Sequence, residues 1–139
     1  VVDYLQLMTC KNSKGDFEVT SSVSRGLKAM AKDTGCPIIA LAQLSREVEK
    51  RPNKRPLMSD LRSTGQIEQD ADIITFLYRD EYYNEDSPDK GITELTMRKS
   101  RDGELKDHFF KADFSTMRYE EINYTQEPKA PSYKPFAGK

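Results

Sequence analysis

The sequence predicts an α/β protein with a parallel central sheet and a C-terminal antiparallel hairpin extension. Two short apolar runs, residues 1–8 and 37–44, have the length of buried strands, and a helix-length amphipathic stretch separates them. This order is typical of parallel strands that are joined by a crossover helix. Later in the chain, Arg101-Asp102-Gly103 joins two strand-like runs directly, which indicates an antiparallel hairpin.

One helix is predicted at residues 17–33, because its apolar positions lie on a single helical face. These positions are Val19, Val23, Leu27, Met30 and Ala31. Gly35 and Pro37 mark the end of the helix.

A basic segment follows the second apolar run. Residues 45–62 contain two prolines, which exclude a continuous helix, so we expect a mobile basic loop that leads to a helical turn at residues 59–65. Four further strands are predicted after it, at residues 73–78, 92–100, 105–114 and 117–122.

The composition limits the class of protein. The chain has 139 residues, which fits one domain, and its hydrophobic fraction of 36% allows only a small core. Its net charge of −1 gives no overall basic signal, so any DNA site must be a local patch. Cys10 and Cys36 lack metal-ligand spacing, which indicates reduced thiols and a cytoplasmic location. No apolar run approaches the roughly 20 residues that cross a bilayer, so no membrane partner is expected.

The chain ends bear on domain organisation. The chain opens directly on a strand-like run, so we expect a fragment of a longer protein. Residues 125–139 contain three of the seven prolines and few apolar residues, which predicts a disordered tail. The expected division is a folded portion at residues 1–124 and a tail at residues 125–139.

Two polar residues accompany the predicted parallel strands. Asp3 lies in the first run and Gln43 at the end of the second. Open α/β sheets bind ligands at the carboxyl ends of their strands. A carboxylate there can hold Mg²⁺ through its water shell, and a neutral amide can contact a γ-phosphate without adding charge. An ordinary polar strand end is the alternative interpretation of each residue.

Residues 62–65 have the composition of a phosphate-binding segment. Arg62, Ser63, Thr64 and Gly65 combine a guanidinium, small hydroxyls and an exposed backbone. No aromatic residue lies among them, which favours contact with the DNA backbone over base stacking. The alternative is a solvated charged loop.

Lys99 and Arg101 flank Ser100 just before the hairpin turn. Alternate residues of a strand point the same way, so both cations can project together. Such a pair suits an arginine finger, which stabilises charge on a phosphoryl group held by a neighbouring subunit. Surface pairing with nearby acids is the alternative.

The other polar residues are expected to be structural. His108, the single histidine, has no nucleophile at a recognisable spacing, so we expect it at a half-exposed strand position. The acids Glu68, Asp70 and Asp72 are interpreted as capping or surface charges.

Several short strings in a fixed order carry more information than any single residue. They are VDYLQLM (2–8), ALAQLSR (40–46), KRP (54–56), SDLR (59–62), GQIEQDAD (65–72), YRDE (78–81) and KSRDG (99–103). The series resembles the later motifs of the DnaB-type hexameric helicases of superfamily 4. The resemblance runs from residue 1 to about residue 124 and implies part of a RecA-like ATPase fold.

The resemblance implies roles in nucleotide binding. It implies that Asp3 is the Walker B residue for Mg²⁺ and that Gln43 is the sensor of the γ-phosphate of ATP. It further implies that Lys99 and Arg101 are the basic pair that acts on the ATP of the neighbouring subunit.

The resemblance also implies roles in DNA binding and assembly. Arg62, Ser63 and Gly65 match the loop that binds the single-stranded DNA backbone inside the channel of a homo-hexamer. Ser63 departs from the glutamate that the family often has there. Primase and a helicase loader are further expected partners, through parts outside this chain.

Two catalytic parts of that family do not occur in the sequence. There is no G-x-x-x-x-G-K-[ST] phosphate loop, and the glutamate that polarises the attacking water is expected upstream of Val1. We therefore expect the isolated chain to be inactive as an ATPase. Two other hypotheses stay open: a non-catalytic module that binds single-stranded DNA or helicase rings, and a RecA-like recombinase-type ATPase.

Overall fold

The computed structural model describes residues 1–10, 15–61 and 65–124. Two α-helices precede four strands: α1 (Asp16–Thr34), α2 (Gly65–Asp70), β1 (Ile73–Tyr78), β2 (Ile92–Ser100), β3 (Asp107–Asp113) and β4 (Arg118–Ile122). Short 3₁₀ turns occupy Leu5–Leu7, Arg46–Lys50, Met58–Asp60 and Asp80–Tyr82. The predicted tail at residues 125–139 lies outside the described residues.

Helix α1 confirms the helix predicted from apolar periodicity. Val23 is buried, and Val19 and Leu27 on the same face are partly buried against the core. The helix ends at Gly35, whose φ of 65° is the left-handed conformation that glycine adopts most readily. None of the described helices is both long and apolar enough to cross a membrane.

The two apolar runs pair in parallel, as predicted, but over a shorter length. Val2 forms a parallel bridge with Ala40. The Val2 amide donates to the Ile39 carbonyl at 2.8 Å, and the Leu41 amide donates to the Val2 carbonyl at 2.9 Å. The prediction that the first strand extends to residue 8 is wrong, because the chain turns at Leu5–Leu7 and buries Leu5 between the helices.

Regular strands occur in one four-stranded antiparallel sheet of order β1-β2-β3-β4. All four strands were predicted within two residues of their observed bounds, and the antiparallel hairpin extension is confirmed. Ile74, Phe76 and Tyr78 of β1 are buried, whereas the residues between them are exposed. This alternation is the pattern of a strand with one packed face.

Several apolar side chains are exposed along the extended backbone. Ile39 and Leu41 of the second parallel segment are 62% and 46% exposed, and Ile73 and Leu77 of β1 are 59% and 65% exposed. An apolar strand edge of this kind is usually covered by additional protein. Both segments are therefore able to pack against further polypeptide.

The basic segment is held in place by two buried carboxylates. Arg51 pairs with Asp60 at 2.6 Å, and Arg55 pairs with Glu94 of β2 at 2.6 Å. The two acids are 5% and 4% exposed in their side chains. Residues 45–61, which were predicted to form a mobile loop, instead contain two 3₁₀ turns and are joined to β2 by the Arg55–Glu94 pair.

The Arg55–Glu94 pair predicts a large effect of a single substitution. Glu94→Gln should lower the free energy of unfolding by about 3 kcal/mol, because Arg55 stays partly buried without a countercharge. Urea denaturation followed by circular dichroism measures this loss. The double variant Arg55→Met/Glu94→Met removes both charges and should lose less stability than Glu94→Gln alone. A Glu94→Gln variant within about 0.5 kcal/mol of the parent would show that the pair does not anchor the segment.

Candidate functional site

Asp3 and Gln43 lie at the same end of the two parallel segments. Asp3 directly follows Val2, and Gln43 lies three residues after Ala40, the bridge partner of Val2. Both side chains are exposed. Because the two segments run in the same direction, both residues lie on the carboxyl side of the bridge between Val2 and Ala40.

The side chain of Gln6 fixes the backbone beside this pair, and the sequence interpretation missed it. Gln6 Nε2 donates to the Gln43 carbonyl at 3.1 Å, and the Gln43 amide donates to Gln6 Oε1 at 3.2 Å. The carboxamide thus replaces the backbone pairing that is lost when the chain turns at Leu5–Leu7. The available signal was an uncharged amide inside an apolar run.

The candidate DNA-binding residues are described only in part. Arg62 and Ser63 lie outside the described residues. Gly65 is the first residue of α2 and is exposed, and a Cβ added to it would meet nothing within 4 Å. Gly65 thus meets none of the described residues closely.

Lys99 and Arg101 both contact the carboxyl end of α2. Lys99 Nζ donates to the Glu68 and Gln69 carbonyl oxygens, and Arg101 Nη2 lies 3.4 Å from the Gln69 carbonyl oxygen. Arg101 Nε also lies 3.1 Å from Asp72 Oδ1. The two cations thus lie together, as the sequence predicts, and Arg101 also meets the alternative interpretation, pairing with an acid.

Helix α2 connects the two candidate regions. It follows residues 62–64, and its last turn holds the two cations. Ile67 of α2 packs in the core with Val23 and Leu5, and Ser24 Oγ donates to Asp70 Oδ2 at 2.7 Å. These contacts fix α2 on α1.

The electrostatic environment of Asp72 is strongly positive. A hydrogen bond from Lys28 Nζ, at 2.5 Å, is the main reason that the pKa of Asp72 is lowered, and the charges of Lys28, Arg101 and Lys99 add to this effect. Asp72 is therefore ionised at neutral pH. It was interpreted from the sequence as a capping or surface charge, and its contact with Arg101 was missed.

His108 occupies the half-exposed strand position that was predicted. It lies in β3, and its Nδ1 is 2.7 Å from Glu121 Oε1 on β4. The hydrogen bond to His108 lowers the pKa of Glu121. This pair joins two strands of the sheet, which indicates a structural role.

Comparison with known proteins assigns the family. A family model described as "DnaB-like helicase C terminal domain" matches residues 1–121. The chain belongs to this family. Membership confirms the resemblance drawn from the ordered strings of the sequence.

Two curated relatives of this chain are replicative DNA helicases. The chain is 52% identical over 105 residues to the replicative DNA helicase DnaB of Geobacillus stearothermophilus, covering 74% of this chain and 23% of the relative. It is 49% identical over 105 residues to the replicative DNA helicase DnaC of Bacillus subtilis strain 168, with the same two coverages. The chain thus spans about a quarter of the length of these relatives.

Two solved structures place the DnaB-like chain in the predicted RecA-like fold class. One, described as an ATPase domain, superimposes with a TM-score of 0.83 at 45% identity, over 86% of this chain and 43% of that one. A DnaB-like replicative helicase, described with its interactions with primase, superimposes with a TM-score of 0.81 at 46% identity, over 84% of this chain and 28% of that one.

The contact between Gln6 and Gln43 predicts a local change in backbone protection. Gln6→Leu should speed hydrogen exchange at the Gln43 amide about fivefold, because one net hydrogen bond of about 1 kcal/mol is lost. Exchange measured by NMR tests this. The Leu41 amide, which donates to Val2, should keep its rate and serves as the internal control. An unchanged rate at Gln43 would show that the carboxamide does not hold this segment.

Proposed function

We propose that this chain is the C-terminal part of the motor of an ATP-dependent replicative DNA helicase. The intact protein would unwind duplex DNA in the 5′→3′ direction as a ring hexamer, in the cytoplasm of a bacterial or phage-infected cell. The observation that carries the proposal is the placement of Asp3 and Gln43 at one end of neighbouring parallel segments, in a chain of the DnaB-like family.

ATP and Mg²⁺ are the proposed ligands of that end of the fold. The described residues contain no group of three or more His, Cys, Asp or Glu side chains that could enclose a metal ion. A single exposed carboxylate such as Asp3 fits Mg²⁺, which keeps several waters and takes its other ligands from phosphates. When bound, the ion would neutralise charge on the phosphate oxygens. Gln43 would contact the γ-phosphate, with its backbone held by Gln6.

The remaining phosphate contacts are proposed to come from a neighbouring subunit. Lys99 and Arg101 lie at the hairpin beside α2 and would reach the ATP of the next protomer in the ring. A heterologous ring interface, in which different surfaces meet, permits such a contribution in trans. Charge on the phosphoryl group during its transfer would be stabilised by these two cations.

The ring is proposed to bind single-stranded DNA and move along it. Arg62, Ser63 and Gly65 would bind its phosphates, without preference for sequence. The composition of this segment and the exposure of Gly65 support this proposal. Primase and a helicase loader are proposed partners of the intact protein, and one of the similar helicases is described with primase.

The proposed activity belongs to the intact protein rather than to these residues alone. The chain contains no G-x-x-x-x-G-K-[ST] sequence, which cradles the phosphates in ATPases of this class. The exposed apolar residues Ile39, Leu41 and Leu77 supply surface against which the rest of the motor could pack. The intact helicase that carries these residues is therefore the protein in which the activity is tested.

Replacing Arg101 should strongly lower the rate of ATP hydrolysis. Arg101→Ala in the intact helicase should lower DNA-stimulated ATP hydrolysis by about 10³-fold or more, because the charge that stabilises the transferring phosphoryl group is lost. Steady-state kinetics measure the loss, and size-exclusion chromatography should show that the ring persists.

Arg98→Ala is the matched control. Arg98 lies in β2, three residues before Arg101, and pairs with Asp107 at 2.7 Å, so its removal should leave turnover close to that of the parent. Normal ATP hydrolysis by Arg101→Ala would return Lys99 and Arg101 to the role of surface charges.

Replacing Arg62 should weaken DNA binding to the same extent for every DNA sequence. Arg62→Ala should weaken single-stranded DNA binding for every oligonucleotide and lower the salt slope by about one, because one phosphate contact is lost. Fluorescence anisotropy at several salt concentrations measures both quantities. Arg118→Ala, an exposed arginine of β4, should change neither. A slope that stays at the parental value in Arg62→Ala would remove this residue from the DNA interface.

A further inference from the structure

Asp72 contacts cations that come from two separate elements. It lies between α2 and β1, and its Oδ2 is 2.5 Å from Nζ of Lys28 on α1. Its Oδ1 is 3.1 Å from Nε of Arg101, and its carbonyl accepts the Arg101 amide at 2.9 Å. One residue thus binds both the backbone and the side chain of Arg101.

The segment that ends at Asp72 holds the second cation as well. Lys99 Nζ donates to the Glu68 and Gln69 carbonyl oxygens, which are at the carboxyl end of α2. Cations interact favourably with that end of a helix. The side chains of Lys99 and Arg101 are therefore oriented by one short stretch of chain, residues 68–72.

We propose that Asp72 is a positioning residue for the pair Lys99 and Arg101. The inference rests on the proposed function, in which these two cations act on the ATP of a neighbouring subunit. Asp72 would touch neither nucleotide nor DNA. It acts through Arg101, whose orientation it sets, and Lys28 holds the carboxylate against α1.

The geometry of the arginine supports this role. A guanidinium presents its N–H groups in a rigid planar fork, so that a partner on one edge fixes the direction of the other. Asp72 Oδ1 pairs with Nε of Arg101, and the Arg101 side chain remains 50% exposed. One terminal nitrogen, Nη2, lies 3.4 Å from the Gln69 carbonyl oxygen, so the remaining N–H groups of this half-exposed guanidinium are the ones that phosphate oxygens of another protomer could bind.

The charge balance around Asp72 also supports this role. The lowered pKa of Asp72, caused mainly by its hydrogen bond with Lys28, keeps the carboxylate ionised at neutral pH. Lys28 on the opposite side compensates part of its negative charge. Arg101 therefore gains a directional contact while most of the positive charge of the cluster is retained.

The principal test is Asp72→Asn in the intact helicase. Asparagine keeps the size of the side chain but removes the charge that orients the guanidinium. DNA-stimulated kcat should fall about tenfold while KM for ATP changes less than about twofold, the pattern of an interaction that matters in the transition state. The melting temperature and the size of the ring should stay at their parental values.

The matched control is Asp107→Asn, which breaks an exposed ion pair of the same kind with Arg98. It should leave kcat and KM unchanged. A second readout separates positioning from a structural role: the affinity and salt slope for single-stranded DNA should be unaltered in Asp72→Asn. Weakened DNA binding would show instead that the substitution distorts α2 and the segment before it, and would overturn the inference.

A double-variant cycle tests whether Asp72 acts through Arg101. Arg101→Lys keeps a cation but lacks the planar fork, so adding Asp72→Asn to it should cause no further loss of kcat. Adding Asp72→Asn to Arg98→Ala should still cause the full loss of about tenfold. Independent, multiplicative losses in the Arg101→Lys background would overturn the inference.

Failure of the proposed function and failure of the positioning role give different results. If Arg101→Ala retains normal turnover, the proposed trans-acting pair is wrong and the role of Asp72 falls with it. If Arg101→Ala loses turnover while Asp72→Asn retains it, the proposed function stands and the positioning role of Asp72 is wrong.

Discussion

Three buried side chains, Leu5, Val23 and Ile67, hold together the segments that carry most of the candidate functional residues. Leu5 follows Asp3, and Ile67 lies two residues after Gly65 in α2. Val23 of α1 is packed with both. Because burial of apolar surface is the main favourable term in folding, this small cluster sets the position of the proposed nucleotide end relative to α2.

Basic side chains of the described segment 45–61 pair with carboxylates and do not form an unpaired positive surface at Arg51 and Arg55. The net charge is −1, and residues 45–61 form a locally basic segment. The structure assigns these two arginines to the buried acids Asp60 and Glu94. A run of basic residues is therefore a poor guide to a DNA site when it pairs with carboxylates of its own segment, such as Asp60, or of a neighbouring strand, such as Glu94, since paired charge contributes little to an external field.

The parts of the fold that were predictable depend on local sequence. Helix α1 has an apolar face that recurs along one segment, and β1 alternates between buried and exposed residues, so both patterns are visible in the chain itself. The turn at Leu5–Leu7 interrupts an apolar run that has the composition of a strand, because Leu5 is drawn into a core supplied by α1 and α2. Packing in the core therefore outweighs the strand preference of the local sequence at this turn.

The candidate site was likewise predictable only where its motifs are contiguous. The recognised strings contain Asp3, Gln43, Lys99 and Arg101. Gln6 and Asp72 also stand in the recognised strings, but their contacts are with residues far along the chain. Those contacts depend on pairings of distant segments that no periodicity in the sequence encodes.

Helix α2 is short, and its length bears on how DNA and nucleotide could be coupled. Its six residues span about 9 Å at 1.5 Å per residue, so Gly65 and the carbonyls that bind Lys99 are less than two turns apart. A helix of this length moves as one body, because its backbone hydrogen bonds connect the first turn to the last. Any displacement of Gly65 by a bound phosphate would therefore be transmitted to the Glu68 and Gln69 carbonyls, and through Asp72 to Arg101. Such a movement would also shift Ile67 against Leu5 and Val23 and strain the hydrogen bond between Ser24 and Asp70, because these contacts fix α2 on α1.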